Sequence, residues 1–370
     1  MSQAVRESRG LPRGQNLLSD FGLILITLVA EDWSKGAVWP APPEIVGHDA
    51  LSESSPVPRK VILDVDPGID DAVALAIALF DPRLDVLAVT ATGGNVDPVQ
   101  ATSNARTIVS LLDPPRLPRI GVASNDVLLP ERGPSVHGGD GLGGADLPLA
   151  RLHGGHPAEK VILETVRAHP GEVTILALGP LTNLSRLIAR EPSVAELVGE
   201  VVVSGGTAFG RGSTTPVSDY NFFANPGAAR HVIREPLTKT LVPLETTSQV
   251  VLGFDMLEQM PDESSRAGVM LHRMLPYAFR SHRQLLGTEG ICLHDVVTLV
   301  SLLHPELFER TTVGADVETS GELTTGMLVV DRRPVNRWQR NVDLLVEVDV
   351  GAVRDCVLRG LDQAARCTAL

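Results

Sequence analysis

Short apolar runs alternate with longer amphipathic stretches from about residue 59 to the end of the chain. The segments 60–64, 84–90 and 200–204 are rich in β-branched residues, which is typical of buried strands. By contrast, residues 70–80 are predicted to form a helix, with two acidic residues in the first turn, where the helix dipole favours them. The same alternation predicts further strands over 119–122, 173–178 and 238–243 and helices over 99–112, 157–168, 181–190, 226–234, 267–286 and 294–303. Strands separated by helices indicate an α/β fold with a mostly parallel central sheet flanked by helices.

Both ends of the chain depart from this alternation. Residues 311–330 and 341–349 are interpreted as strands of a small peripheral β layer. Residues 1–57 contain scattered Pro, Gly and Ser in irregular sequence, which predicts a partly disordered N-terminal extension. The remaining residues, 58–370, are expected to form a single domain.

Composition excludes several classes of partner. The net charge is −13, from 45 acidic and 32 basic residues, and no Lys/Arg cluster stands out, so binding to nucleic acid is not expected. The apolar run 21–30 is too short to span a membrane, and Asp20 at its start argues against a secretory signal. The three cysteines, Cys292, Cys356 and Cys367, are not spaced as a metal or redox motif, which favours a cytoplasmic location.

The richest candidate for chemistry is an acidic segment that begins at the end of the first predicted strand. Asp64, Asp66, Asp70 and Asp71 place four carboxylates within eight residues. Such a concentration of like charge is costly unless a cation or a bonding network neutralises it, and hard oxygen ligands suit Ca²⁺ or Mg²⁺. The alternative interpretation is a helix N-cap with solvated acids. Ligands of parallel sheets bind at the carboxyl ends of the strands, and this segment is predicted to lie there.

Other predicted strand ends are also polar or glycine-rich. They include the segments 92–95, 178–183 and 204–206. Further along, His294 and Asp295 open an apolar helix, where on periodicity alone they are equally well explained as a helix cap.

These segments together resemble a known family. The segment 64–75, Asp-Val-Asp-Pro-Gly-Ile-Asp-Asp-Ala-Val-Ala-Leu, closely resembles the signature of the inosine-uridine-preferring nucleoside hydrolases. Segments similar to the family's other blocks follow in order at 93–95, 137–141, 179–183, 203–206, 219–221, 225–229 and 294–295. The resemblance, over roughly 59–365, implies a Rossmann-like enzyme that hydrolyses ribonucleosides to ribose and free nucleobase in purine and pyrimidine salvage. It also implies Ca²⁺ as cofactor and a homodimer or homotetramer.

The resemblance further implies roles for individual residues. Asp66, Asp71 and Asp295, with the main-chain carbonyl of Leu178, are expected to bind Ca²⁺. Asp66 is also the expected general base, and His294 is expected near the nucleobase, where it can protonate the base as it leaves. The residues expected to hold the ribose hydroxyls are Asp70, Asn95, Asp219 and Asn221. The residues expected in the base pocket are His137, Tyr220 and His282.

Three departures from the family pattern are visible. Asp219 stands where the family usually has Glu, which shortens the side chain by one methylene and predicts an altered grip on the sugar. Asn225 stands where Asp is usual, before a predicted helix start, and is expected to act as a helix cap. Ser204 and Ser213 replace a common Met and Asn and are expected to line the sugar pocket.

Other functions fit the sequence less well. The change at Asp219 motivates one alternative, a calcium-dependent ribonucleoside-binding protein with lost or weak turnover. A Mg²⁺ phosphohydrolase built on Asp64 and Asp66 lacks a convincing downstream Lys and Ser/Thr pair. The glycines at 139–144 satisfy GxGxxG, but no strand leads into them and no helix opens from them, so a mobile lid is the preferred interpretation.

Overall fold

A mostly parallel sheet runs through the protein in a computed structural model that describes residues 57–124, 135–148, 150, 155–335 and 337–370. The strands are β1 (Arg59–Val65), β2 (Leu84–Ala91), β3 (Arg119–Val122), β4 (His156–Pro157), β5 (Val173–Ala177), β6 (Glu200–Ser204), β7 (Lys239–Val242), β8 (Phe308–Val313), β9 (Ala315–Val317), β10 (Leu328–Val330) and β11 (Val342–Val348). The helices are α1 (Ile69–Ala78), α2 (Pro98–Leu112), α3 (Ala158–Ala168), α4 (Thr182–Arg190), α5 (Tyr220–Ala224), α6 (Pro226–Arg234), α7 (Leu244–Thr247), α8 (Asp255–Gln259), α9 (Arg266–Ser281), α10 (His294–Leu303) and α11 (Val350–Cys367). The predicted fold class is confirmed.

The sheet order places the acidic segment near the middle of the sheet. In the part of the chain that is described, nine strands pair in the order β4-β3-β2-β1-β5-β6-β7-β11-β8, and all these pairs are parallel except β11 with β8. Asp64 of β1 is in register with Thr90 of β2 and with Ala177 of β5. The residues that follow these three strands therefore meet at one edge of the sheet.

The two faces of β1 pack into two different cores. Val61, Leu63 and Val65 belong to a cluster with α1, α2, α9, α10 and α11, whereas Ile62 belongs to a cluster with α3, α4 and α6. Alternate side chains of a strand point to opposite faces, so a strand covered by helices on both sides is apolar throughout. This burial explains why β1 reads as a continuous apolar run.

One detail of the predicted strand arrangement is wrong. The strands predicted at 311–330 and 341–349 are expected in a peripheral layer, but β8 and β11 lie in the main sheet, where β11 pairs parallel with β7 and antiparallel with β8. Val342 and Leu344 of β11 are buried, which gives the strand an apolar face to pack in the core. The small peripheral layer is the antiparallel pair β9–β10, with Leu328 opposite Val317.

Helix ends follow local capping chemistry. Asn225 caps α6, its side chain accepting a hydrogen bond from the Ala228 backbone N–H at 3.0 Å, which confirms its predicted structural role. The helix predicted over 267–286 is shorter, because α9 ends at Ser281 and a π-helical turn covers His282–Leu286. That turn ends at Gly287, whose φ of 67° favours glycine.

The prediction for residues 1–57 falls almost entirely outside the described residues, which begin at 57. Within the described ranges, no helix has both the length and the apolar character that crossing a bilayer requires.

Candidate active site

A cavity of about 410 Å³ opens where the polar segments after β1, β2, β5, β6 and β7 meet the start of α10. Eleven of the twelve predicted site residues line it, namely Asp66, Asp70, Asn95, His137, Leu178, Asp219, Tyr220, Asn221, His282, His294 and Asp295. The twelfth, Asp71, is fully buried and has no exposed surface. Ser204 and Ser213 also line the cavity, as expected. Residues far apart in sequence are thus brought together at the carboxyl edge of the sheet.

Three carboxylates converge at one wall of the cavity, with Asp70 and Asp295 lining it and Asp71 buried behind them. One oxygen from each of Asp70, Asp71 and Asp295 lies within 4.8 Å of the others. Asp70 and Asp71 occupy the first turn of α1, and Asp295 occupies the first turn of α10. Burial, reinforced by the charge of Asp70, raises the pKa of Asp71 to about 7, and burial with the nearby Asp70, Asp71 and Asp66 raises the pKa of Asp295 well above its usual range.

The carboxylate of Asp71 is only half satisfied by hydrogen bonds. Its Oδ2 accepts from the Gly68 N–H at 2.8 Å and from the Asn95 Nδ2 at 3.4 Å. Its Oδ1 is buried and has no hydrogen-bond donor among the residues that the structure describes. A buried carboxylate oxygen without a donor is costly, and a cation removes that cost. The all-oxygen donor set of this wall fits a hard cation such as Ca²⁺ or Mg²⁺.

Asp66 is wedged between two glycine-containing turns. The Asn95 N–H donates to its Oδ2 at 2.5 Å. A Cβ added at Gly94 would lie 1.9 Å from Asp66 Oδ2, and one added at Gly179 would lie 2.6 Å from Oδ1. Both positions therefore need glycine, because the backbone closes directly onto the carboxylate. The orientation of the Asp66 side chain is fixed by its surroundings.

The carbonyl of Leu178, predicted as a metal ligand, is joined to a predicted ribose-binding residue. Asn221 Nδ2 donates to the Leu178 carbonyl at 2.6 Å and to the Ser204 carbonyl at 3.0 Å. The Leu178 N–H donates to the Asp64 carbonyl at 2.8 Å, which anchors this residue to β1. A carbonyl oxygen has two lone pairs, so the bond from Asn221 leaves acceptor capacity at Leu178.

Two of the three residues that depart from the family pattern at the sugar pocket, Asp219 and Ser204, make buried hydrogen bonds. Asp219 caps α5, its Oδ2 accepting from the Asn221 N–H at 2.8 Å and its Oδ1 from the Gly206 N–H at 2.7 Å. Burial raises the pKa of Asp219 to about 6. Ser204 Oγ donates to Asp295 Oδ1 at 3.1 Å. The short Asp219 side chain is thus tied to the backbone, and Ser204 supports the acidic wall.

Histidine and tyrosine side chains also line the cavity. His137 Nδ1 accepts from the Ile69 N–H at 3.2 Å and lies 3.7 Å from Asp70 Oδ1. His282 Nδ1 donates to the Ala278 carbonyl at 2.9 Å, and burial lowers the pKa of His282. Tyr220 donates its hydroxyl hydrogen to the Gly94 carbonyl at 3.1 Å. Together with His294, these rings give the cavity a partly aromatic lining of the kind that accommodates planar groups.

His294 and Asp295 do not cap α10. The N-cap position of this helix is Leu293, and no side chain forms a capping hydrogen bond there. His294 Nδ1 instead lies 2.8 Å from Thr247 Oγ1, and Asp295 accepts from Ser204. Burial lowers the pKa of His294 to about 4, so the imidazole is neutral at pH 7 and must gain a proton before it acts as an acid. Sequence reasoning missed Thr247, whose only signal is a short polar run after β7.

Comparisons with known proteins agree with this architecture. The family model for "Inosine-uridine preferring nucleoside hydrolase" matches residues 61–355. The non-specific ribonucleoside hydrolase RihC of Shigella boydii is 35% identical over 306 residues, which cover 82% of this chain and 99% of the relative. RihC of an Escherichia coli strain is 36% identical over 291 residues, covering 78% and 94%.

Solved structures show the same relationship. The plant nucleoside hydrolase PpNRh1 has a TM-score of 0.77 and 30% sequence identity, over 82% of this chain and 99% of that chain. A purine-preferring ribonucleoside hydrolase from Gardnerella vaginalis also has a TM-score of 0.77, with 23% identity over 83% and 99%, and supports the fold alone. These matches confirm the family and the enzyme class predicted from the sequence. The chain belongs to the inosine-uridine preferring nucleoside hydrolase family, a family of hydrolases that act on N-glycosyl bonds.

Proposed function

We propose that this enzyme hydrolyses the N-glycosidic bond of ribonucleosides, releases ribose and a free nucleobase, and depends on Ca²⁺. Asp66, Asp71 and Asp295, with the Leu178 carbonyl, would hold the ion; the carboxylate cluster itself comprises Asp70, Asp71 and Asp295, so Asp70 would lie beside the ion and Asp66 would join the cluster from the end of β1. One observation carries the proposal: the buried Asp71 Oδ1 has no donor among the described residues, in an acidic wall beside a cavity of about 410 Å³. The products are substrates for purine and pyrimidine salvage.

The acidic wall suits the charge that develops during this reaction. Cleavage of an N-glycosidic bond builds positive charge on the sugar, and carboxylates placed beforehand stabilise it without reorganising. When bound, a divalent cation makes a neighbouring water easier to deprotonate. Asp66, whose orientation is fixed by Gly94, Gly179 and the Asn95 N–H, is positioned to accept the proton of the attacking water.

The sugar end of the cavity suits a polyhydroxylated ring. Asp70, Asn95, Asp219 and Asn221 present carboxylate and amide groups that orient ribose hydroxyls. The Asp219 carboxylate accepts two backbone hydrogen bonds and keeps lone pairs for a hydroxyl donor. The shortened side chain is therefore compatible with a retained, but altered, contact to the sugar.

The base end of the cavity suits a planar leaving group, with His137, Tyr220, His282 and His294 around it.

His294→Ala is expected to lower kcat for inosine about 100-fold, because a positioned acid contributes roughly this much, while KM changes by less than about 3-fold. Steady-state kinetics with inosine check this. Equal losses in kcat and in ribose affinity would show that His294 only supports the cavity wall.

The proposed function is tested by incubating the purified protein with inosine, adenosine, uridine and cytidine and measuring released ribose. The assay is repeated after removal of cations with EGTA and again after Ca²⁺ or Mg²⁺ is added back. Ribose release that is lost with EGTA and restored by Ca²⁺ is the expected result. Saturable binding of nucleosides without ribose release would instead identify a binding protein, and full activity in EGTA would contradict the calcium requirement.

The family resemblance also supports a cytoplasmic homodimer or homotetramer as the working form, and we propose this assembly on that ground alone.

A further inference from the structure

The hydroxyl of Thr247 contacts the imidazole of His294 from a separate element. Thr247 is the last residue of α7 and His294 is the first residue of α10, and their Oγ1 and Nδ1 atoms are 2.8 Å apart. Thr247 is 1% exposed, which shields its hydroxyl from bulk solvent. Both residues line the cavity. The contact therefore links a side chain that is expected near the leaving base to a buried hydroxyl on another helix.

The direction of this hydrogen bond follows from the other partners of the hydroxyl. Thr247 Oγ1 lies 3.2 Å from the Leu244 carbonyl and 3.4 Å from the Pro243 carbonyl, and both can only accept. Since a hydroxyl has one hydrogen, donating it to a carbonyl leaves the oxygen to accept from His294 Nδ1–H. The other ring nitrogen, Nε2, is then the one available to a group in the cavity.

The backbone around the pair keeps the two helices in place. Leu252, five residues after Thr247, and Ile291, three residues before His294, exchange two backbone hydrogen bonds of 2.9 Å. Gly290 permits this bridge, because its φ is 115° and an added Cβ would lie 2.7 Å from the Leu252 carbonyl oxygen. At the other side, the Leu244 N–H donates to the Gly206 carbonyl at 2.9 Å. Thr247 is thus presented to His294 by a braced segment.

We propose that Thr247 is a positioning residue for the reaction: it holds the Nδ1–H of His294 and directs Nε2 to the departing nucleobase. This inference rests on the proposed function. In the neutral ring the one proton lies on Nδ1, so Nε2 must take up a proton from water before His294 can give it to the departing base, while the Nδ1 proton stays in the bond to Thr247. The arrangement follows the logic by which a second residue orients a catalytic histidine in hydrolytic triads.

The test compares Thr247→Val, Thr247→Ser and Thr246→Val in the Ca²⁺-loaded, full-length enzyme. Thr246 is a matched control, since it is equally buried on α7 but its hydroxyl donates to the Leu345 carbonyl at 2.8 Å. Two substrates are used: inosine, whose base needs a proton to leave, and 4-nitrophenyl riboside, whose phenolate leaves without one. For Thr247→Val, the ratio of kcat for inosine to kcat for the aryl riboside is expected to fall about 10-fold.

Thr247→Ser retains the hydroxyl and is expected to restore that ratio to within about 3-fold of the parent, and Thr246→Val is expected to leave it unchanged. Thermal melting of all three variants shows whether any of them has lost its fold. If Thr247→Val slows both substrates equally, or no more than Thr246→Val, Thr247 is structural and the inference is wrong. If the parent releases no ribose from inosine, the proposed function itself fails, which is a distinct result.

Discussion

Asp66→Asn is expected to lower kcat for ribonucleoside hydrolysis about 1000-fold, the largest effect of any single change at this site. The amide keeps the shape of the side chain but cannot take a proton from the attacking water. Gly94 and Gly179 close on the side chain, so it cannot swing away to let another group take its place. Measurement of released ribose under saturating inosine and Ca²⁺ gives the value.

The control for this change is Asp85→Asn. Asp85 is paired with Arg116 at the surface of β2, outside the cavity, and its loss is expected to change kcat by less than about 2-fold. Thermal melting of Asp66→Asn is expected to stay within a few degrees of the parent. A folded Asp66→Asn protein with near-parental kcat would remove Asp66 from the role of general base.

Asp71→Asn is expected to abolish stabilisation by Ca²⁺ and to lower kcat by at least about 100-fold at a fixed Ca²⁺ concentration. In the parent, Ca²⁺ at 100 times its Kd should stabilise the fold by about 2.7 kcal/mol, raising Tm by roughly 5 °C. The substitution replaces one of the three clustered carboxylates with a neutral amide. This carboxylate is the one whose Oδ1 has no hydrogen-bond donor among the described residues. Differential scanning calorimetry in EGTA and in Ca²⁺ measures the difference.

Asp64→Asn is the control that distinguishes loss of cation binding from the general effect of removing a buried carboxylate. Asp64 is 1% exposed, but its carboxylate is bonded by Thr90 Oγ1 at 2.6 Å and Asn183 Nδ2 at 2.7 Å, away from the cavity. Its replacement is expected to lower Tm in both buffers while the shift caused by Ca²⁺ persists. If Asp71→Asn retains the full Ca²⁺ shift, the ion binds elsewhere and the proposed ligand set is incorrect.

The sequence predicted most of the fold because β1, β2, β5 and β6 are buried on both faces and separated by amphipathic helices. Their apolar runs have no competing interpretation, and α1 and α10 begin within one residue of the predicted positions. β11 was harder to place, because alternation of apolar residues identifies a strand without saying which neighbour it pairs with. Its place beside β7 depends on the path of the chain through space.

The candidate site was predicted unevenly for a similar reason. Most of the predicted site residues lie in or next to the recognised segments and could be named in advance, and eleven of the twelve line one cavity. The contact of Asp70 with Asp71 and Asp295, in contrast, depends on how α1 and α10 approach each other. The role of Thr247 could not be predicted, because threonine near a strand end is common. The role depends on a contact with His294, which lies 47 residues later in the sequence.

The cavity is lined partly by residues that follow buried strands and partly by residues in turns, and this difference is useful for enzyme engineering. Asp66 and Leu178 directly follow the buried strands β1 and β5, whereas His137 lies in the glycine-rich turn 137–144 and His282 opens the π-helical turn before Gly287. Libraries that randomise only these two turns should therefore alter which nucleobase is accepted while leaving the hydrolytic half of the catalyst intact. Directed evolution toward modified nucleosides has a natural starting region here.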